Sequence, residues 1–205
     1  MRTGLADELH PDIVGFRPFE DMGKPFPRFL CDVMLGRLAR WLRALGYNAA
    51  YDNAAADPDL LRRAARERRI LVTRDTRLAA EGRSSRILLL HANDTAGQLR
   101  ELAGALGIAR HPGPLKRCTV CNALLRKATD SQVEECVPDY VRSTQQAFRA
   151  CPGCGRVYWP GTHRPGILAA LEAALPGATG DAGEKWAICG RRRRFRNPCP
   201  SSMTR

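Results

Sequence analysis

No stretch of eighteen apolar residues occurs in the 205-residue chain, which leaves no candidate for a membrane-spanning helix. The opening MRTGLADELHPDIVGF carries acids and lacks an apolar core of signal-peptide length, so the protein is expected in the cytoplasm. No G-x-G-x-x-G follows the first apolar strand, which argues against a dinucleotide fold. A phosphoacceptor receiver domain would need a lysine after a late strand, and none stands there. Acids are in deficit: 21 Asp and Glu face 33 Lys and Arg, giving a formal charge of +12 at pH 7. That balance favours a polyanionic partner, nucleic acid ahead of an acidic membrane surface.

The hydrophobic share of 44% is that of an ordinary globular chain, long enough for one medium domain and a smaller module. Residues 1–28 are rich in Pro, Gly and Phe without periodicity and read as an extended arm. Residues 29–112 alternate strand and helix: RFLCD, then VMLGRLARWLRALG, NAAYD, DPDLLRRAARERR, ILVT, TRLAAEG, RILLLHAN and TAGQLRELAGALG. Asp57 is the expected cap of the second helix, Pro58 its first turn, and Gly46 the stop of the first. The β-α alternation predicts an α/β fold, a parallel sheet with right-handed crossovers and helices on both faces. Residues 113–175 form a cysteine-bearing module with a short closing helix at 165–175. The tail 176–205, Gly/Ala-rich and then GRRRRFRNPCPSSMTR, reads as disordered.

Four of the predicted strands run into an acid: Asp32, Asp52, Asp75 and Asp94. Ligands of open parallel sheets bind beyond the carboxyl ends of the strands, so these acids are expected to converge. Clustered carboxylates repel unless a cation joins them, and Mg²⁺ or Mn²⁺ suits an all-oxygen site. Such a site fits phosphodiester hydrolysis. An Asp after a strand is also a common helix cap, and for each acid that second reading stays open. Arg37, Arg40 and Arg43 lie three apart on the first helix and form a candidate phosphate-guiding stripe or a solvated face. Arg74, beside Asp75, is a candidate for the scissile phosphate or for an ion pair.

CTVC at 118–121 and CPGC at 151–154 are two hooks suited to a tetrahedral zinc, held by Cys118, Cys121, Cys151 and Cys154. Asn122 and Gly155 follow the hooks and tolerate the positive φ that a tight turn needs. Four cysteines leave no open position, so this zinc is structural. The 29 residues between the hooks loop out as an insertion carrying Cys136, a bystander or a competing ligand. Cys31 reads as a core residue, and Cys189 and Cys199 carry no ligand spacing. In RVYWPGTHRPG, Trp159 either packs the ribbon against the first domain or stacks on bases, and His163 is a candidate neighbour of the acids.

With these motifs in place, the chain resembles the PIN-like ribonucleases of the Mut-seven C-terminal family. The resemblance spans about residues 28–170 and rests on FLCDVMLGRLARWLRALGY, YD, ILVTRD, QLRELAGALGI, RCTVCNALLR, VPDYV and ACPGCGRVYWPGTH. It implies a PIN-like nuclease domain joined to a zinc ribbon, cleavage of RNA with a divalent metal, acids at Asp32, Asp75, Asp52 and Asp94, and ribbon ligands at the four hook cysteines. The chain departs from the pattern in three places. Residues 1–28 are too short for the ubiquitin-like domain that many bacterial members carry, the Arg-rich tail lies outside the match, and the first helix lacks the acid usual in PIN domains. The expectation is a metal-dependent ribonuclease acting on RNA, expected to be single-stranded, in which Asp32, Asp75 and Asp94 hold Mg²⁺ or Mn²⁺. A noncatalytic RNA- or ribosome-binding adaptor is the alternative, and a toxin-like nuclease with a protein partner shares the chemistry.

Overall fold

The computed structural model describes residues 26–82, 86–107 and 116–160, with the backbone of 186–187. Strands β1 (Arg28–Cys31), β2 (Asn48–Tyr51), β3 (Ile70–Thr73) and β4 (Ile87–Leu89) pair in parallel in the order β2-β1-β3-β4. Alternation of side chains along a strand divides the core into two layers. Phe29, Cys31, Ile70 and Val72 meet helices α1 (Gly36–Ala44) and α4 (Thr95–Leu106) through Leu38, Leu42, Leu99 and Leu102. Leu30, Ala50 and Leu71 meet α2 (Asp57–Glu67) and α3 (Thr76–Glu81) through Leu60, Ala64 and Leu78. Helices therefore cover both faces, as the alternation predicts. Each fully buried leucine contributes about 1.5–3 kcal/mol of transfer energy, and Leu42→Ala would cost about 2–5 kcal/mol.

Local chemistry differs from expectation at α2. Ala56 occupies the cap position without a side-chain bond, and Asp57 lies inside the first turn, where it adds charge favourable to the helix dipole. The helix stops at Glu67 because Arg68 turns left-handed at φ 51°. Arg69 is then drawn inward instead of continuing the helix. Its Nε donates to Glu67 Oε2 (2.5 Å), and its Nη1 donates to Phe29 O (3.1 Å) and Asn48 Oδ1 (2.8 Å) at the amino end of the sheet.

The cysteine module is a second, antiparallel sheet of β5 (Arg126–Lys127), β6 (Arg149–Ala150), β7 (Val157–Pro160) and β8 (Trp186–Ala187). The insertion between the hooks is structured as α5 (Asp130–Cys136) and α6 (Asp139–Thr144). A Thr129/Gln132 capping box starts the first of these. Cys136, Val133 and Val141 pack on Val157, Ala150 and Trp159, so Cys136 belongs to this apolar cluster. Trp159 also lies 6.5 Å from the Phe148 ring, so it packs within the cysteine module and not against the first domain as expected. Two residues of the tail expected to be disordered, Trp186 and Ala187, form β8 and pair with β7. The rest of that tail, the helix expected at 165–175, His163 and residues 1–25 lie outside the described residues.

Candidate active site and metal centre

The strand order places Asp52, Asp32, Asp75 and Asp94 in that sequence along the carboxyl edge of the parallel sheet. Asp32, at the end of central β1, is 2% exposed. Its Oδ1 accepts from Val33 N (2.5 Å) and its Oδ2 from Thr73 Oγ1 (2.5 Å). Thr73 Oγ1 in turn accepts from Asp75 N (2.9 Å). A backbone N–H can only donate, so the hydroxyl proton of Thr73 is committed to Asp32, and the order of the chain is fixed. Thr73 thus ties the two central acids together, a role the sequence reading did not foresee. The available signal was its place two residues before Asp75, on the last inward position of β3.

The other acids are engaged locally. Asp75 Oδ1 accepts from Arg77 N (2.7 Å) and Leu78 N (3.3 Å) and caps α3, a bond pattern in which Oδ2 takes no part. Asp94 is exposed and caps α4 through Gly97 N (2.9 Å), and that N–H, with its neighbours, holds the carboxyl below the usual range. Position 97 has to be glycine, since a Cβ there would lie 2.8 Å from both Asp94 Oδ2 and Ala92 Cβ. Asp52 Oδ1 closes a turn on Ala54 N (3.0 Å). Among the described residues no three carboxylates bring ligand atoms within 4.8 Å of one another. The expected convergence of three or four acids is therefore replaced by a central Asp32–Thr73–Asp75 unit with Asp52 and Asp94 outboard. Geometry explains it: strands stand about 4.8 Å apart, which puts the outermost acids about 14 Å from each other. Glu101 holds the β4–α4 loop at this edge by accepting from His91 N (2.8 Å) and Ala92 N (3.0 Å).

Arg37 and Arg40 are exposed on α1, and Val33 and Met34 are exposed between them and Asp32. Arg74 Nη2 donates to Asn93 Oδ1 (2.5 Å), while its buried Nε has no partner among the described residues. Arg43 corrects the expected stripe. It is buried, with Nε donating to Ala49 O (2.7 Å) and Nη1 to Thr119 O (3.2 Å) and Val120 O (2.7 Å). A guanidinium buried on these carbonyls is not presented on the helix surface to a phosphate backbone.

The four cysteine sulfurs lie within 4.8 Å of one another, with Cys118–Cys154 at 3.5 Å and Cys121–Cys151 at 3.2 Å. A tetrahedral zinc with bonds of about 2.3 Å sets its sulfurs about 3.8 Å apart, so this donor set fits zinc. Both hooks close with the same bonds: Asn122 N to Cys118 O (3.0 Å) and Gly155 N to Cys151 O (2.9 Å), at φ 68° and 69°. Burial pushes the Cys118 thiol up. The Tyr158 hydroxyl at 3.0 Å and the Cys121 and Val120 amides outweigh that and bring it to about 7. Burial raises Cys121 and Cys151, whose protons a metal would displace. Arg156, whose charge is favoured by its bond to Cys154, and Arg43 flank a site that would carry two net negative charges with zinc bound.

No curated protein and no solved structure matches the chain. The sequence profile described as the Mut7-C RNAse domain matches residues 27–171, which takes in the acid-bearing sheet and both hooks. On that match over well more than half its length, the chain belongs to the Mut7-C RNase-domain family.

Proposed function

We propose that the protein is a metal-dependent ribonuclease that hydrolyses RNA at the carboxyl edge of the parallel sheet. The observation that carries this reading is the Asp32–Thr73–Asp75 unit, in which one buried hydroxyl donates to the Asp32 carboxylate and accepts from the Asp75 backbone N–H on the adjacent central strand. Magnesium sites are commonly built from one or two carboxylates with water and substrate phosphate completing the shell, and in this reading Asp32 and Asp75 would supply those carboxylates. Bound there, Mg²⁺ or Mn²⁺ would supply an activated water and neutralise charge on the phosphate. Asp94 and Asp52 stand outboard and act on the flanking nucleotides or waters. Arg74, aimed by Asn93 and carrying an unused Nε, positions the scissile phosphate, with Arg37 and Arg40 guiding the backbone towards it. Val33 and Met34 offer an apolar surface beside Asp32 that suits the face of an unpaired base, which favours single-stranded RNA.

The test is cleavage of end-labelled single-stranded RNA with Mn²⁺ by the wild type and by Asp75→Asn at equal zinc content. Asn caps a helix as well as Asp does, so the variant keeps the fold and loses the charge. Cleavage lost in the variant supports the reading, and equal cleavage by both proteins refutes this site. The capping roles of Asp75 and Asp94 give a second reading some weight: a noncatalytic RNA-binding adaptor in which the acids only start helices. RNA bound by the wild type but never cut would favour it.

A further inference from the structure

β2 is an outer strand of the parallel sheet, and its Ala49 sends both backbone groups to partners outside that sheet. The Ala49 N–H donates to Asn122 Oδ1 (3.2 Å), and Ala49 O accepts from Arg43 Nε (2.7 Å). Both partners lead to the first cysteine hook. Asn122 directly follows Cys121, and its Nδ2 donates to Asn48 Oδ1 (2.8 Å), the atom that also receives Arg69 Nη1. Arg43 grips the carbonyls of Thr119 and Val120, the two residues between the hook cysteines. Those carbonyls point outward because the amides of Val120 and Cys121 face the Cys118 sulfur, at 3.4 Å each.

We propose that the first hook is a metal-set lock on the β2 edge of the nuclease sheet. Zinc in the four cysteines fixes the hook, and the hook fixes β2 and the end of α1 through Asn122 and Arg43. The second hook isolates the point. It closes with the same backbone bonds but carries Gly155 where the first has Asn122, so a side chain at that position is not needed to hold zinc. The amide of Asn122 is an addition directed at β2. The lock lies at the amino end of the sheet, away from the acids, and holds whether or not those acids catalyse.

Amide hydrogen exchange on the zinc-loaded full chain tests it, with the wild type and Asn122→Gly each measured before and after a zinc chelator, and with zinc content determined. Glycine keeps the positive φ of the hook and removes only the bridge. Chelation of the wild type should speed exchange at Ala49 about tenfold, the worth of roughly one hydrogen bond, with smaller changes at Leu30 and Leu71. Asn122→Gly should retain its zinc and exchange Ala49 fast from the start. A wild-type Ala49 rate that ignores chelation overturns the proposal, as does wild-type protection in a zinc-loaded Asn122→Gly. Equal acceleration at Leu30 and Leu71 also overturns it, since zinc would then support the whole fold. Should the variant lose zinc, the wild-type chelation arm alone decides.

Discussion

Two arginines flank strand β3 and are used in opposite ways. Arg69, at the amino end, is buried and spends its donors on Glu67, Phe29 O and both oxygens of Asn48. Arg74, at the carboxyl end, bonds Asn93 and keeps a buried Nε without a partner among the described residues. Buried polar groups in folded proteins are nearly always paired. An end of the sheet whose guanidinium is bound to backbone and side-chain acceptors is architecture. The end that leaves a guanidinium donor unspent is the one on which the proposed RNA site is placed.

The contrast can be broken from either side. The largest effect on stability is expected from Arg69→Met, which takes the guanidinium from Phe29 O and Asn48 O and leaves Glu67 with Arg63 alone as its close partner, and should cost about 2–4 kcal/mol in urea denaturation. Asp32→Asn comes next, at about 1–3 kcal/mol. If its oxygen keeps Val33 N, its Nδ2 cannot accept the Thr73 hydroxyl proton, so the ordered chain to Asp75 is lost. A smaller, pH-limited effect belongs to Glu67, whose carboxyl is held down to about 2 chiefly by its bond to Arg69, with help from Arg63. The stabilisation is complete above the unfolded carboxyl range near about 4.3 and disappears as pH falls through about 2. Between those limits the wild type should lose more stability than Glu67→Gln, as thermal melts would read. The smallest change in stability, under about 0.5 kcal/mol, is expected for Asp75→Asn. That same variant should lose RNA cleavage, and a protein that is stable yet inactive would sharpen the distinction between the two ends.

Much of this was legible in the chain because it depends on neighbours in sequence. The β-α alternation, the apolar runs of β3 and β4, and the hooks with Asn122 and Gly155 at positive φ all follow from local chemistry. Arg43 was not legible. A spacing of three residues drifts by about 60° per step around a helix, so Arg43 stands about 120° from Arg37 and leaves the exposed stripe. Its partners, Thr119 and Val120, lie 76 and 77 residues away, a distance no periodicity encodes. Asp75 and Asp94 were legible as strand-end acids, but whether such a residue caps or converges depends on strand order. Thr73 escaped notice for the same reason: its hydroxyl matters only once β1 lies beside β3.

The short β4 gives the two margins of the parallel sheet unequal exposure to self-association. Brevity alone blunts an edge, and β4 has only three residues. The β2 margin has four residues and relies on Asn122 of the cysteine module and Arg43 of α1. Aggregation of this protein should therefore begin at β2 and be triggered by chelators before heat or denaturant. Light scattering that rises on zinc removal from the wild type, and in Asn122→Gly even with zinc bound, would trace the nucleus of precipitation to that margin.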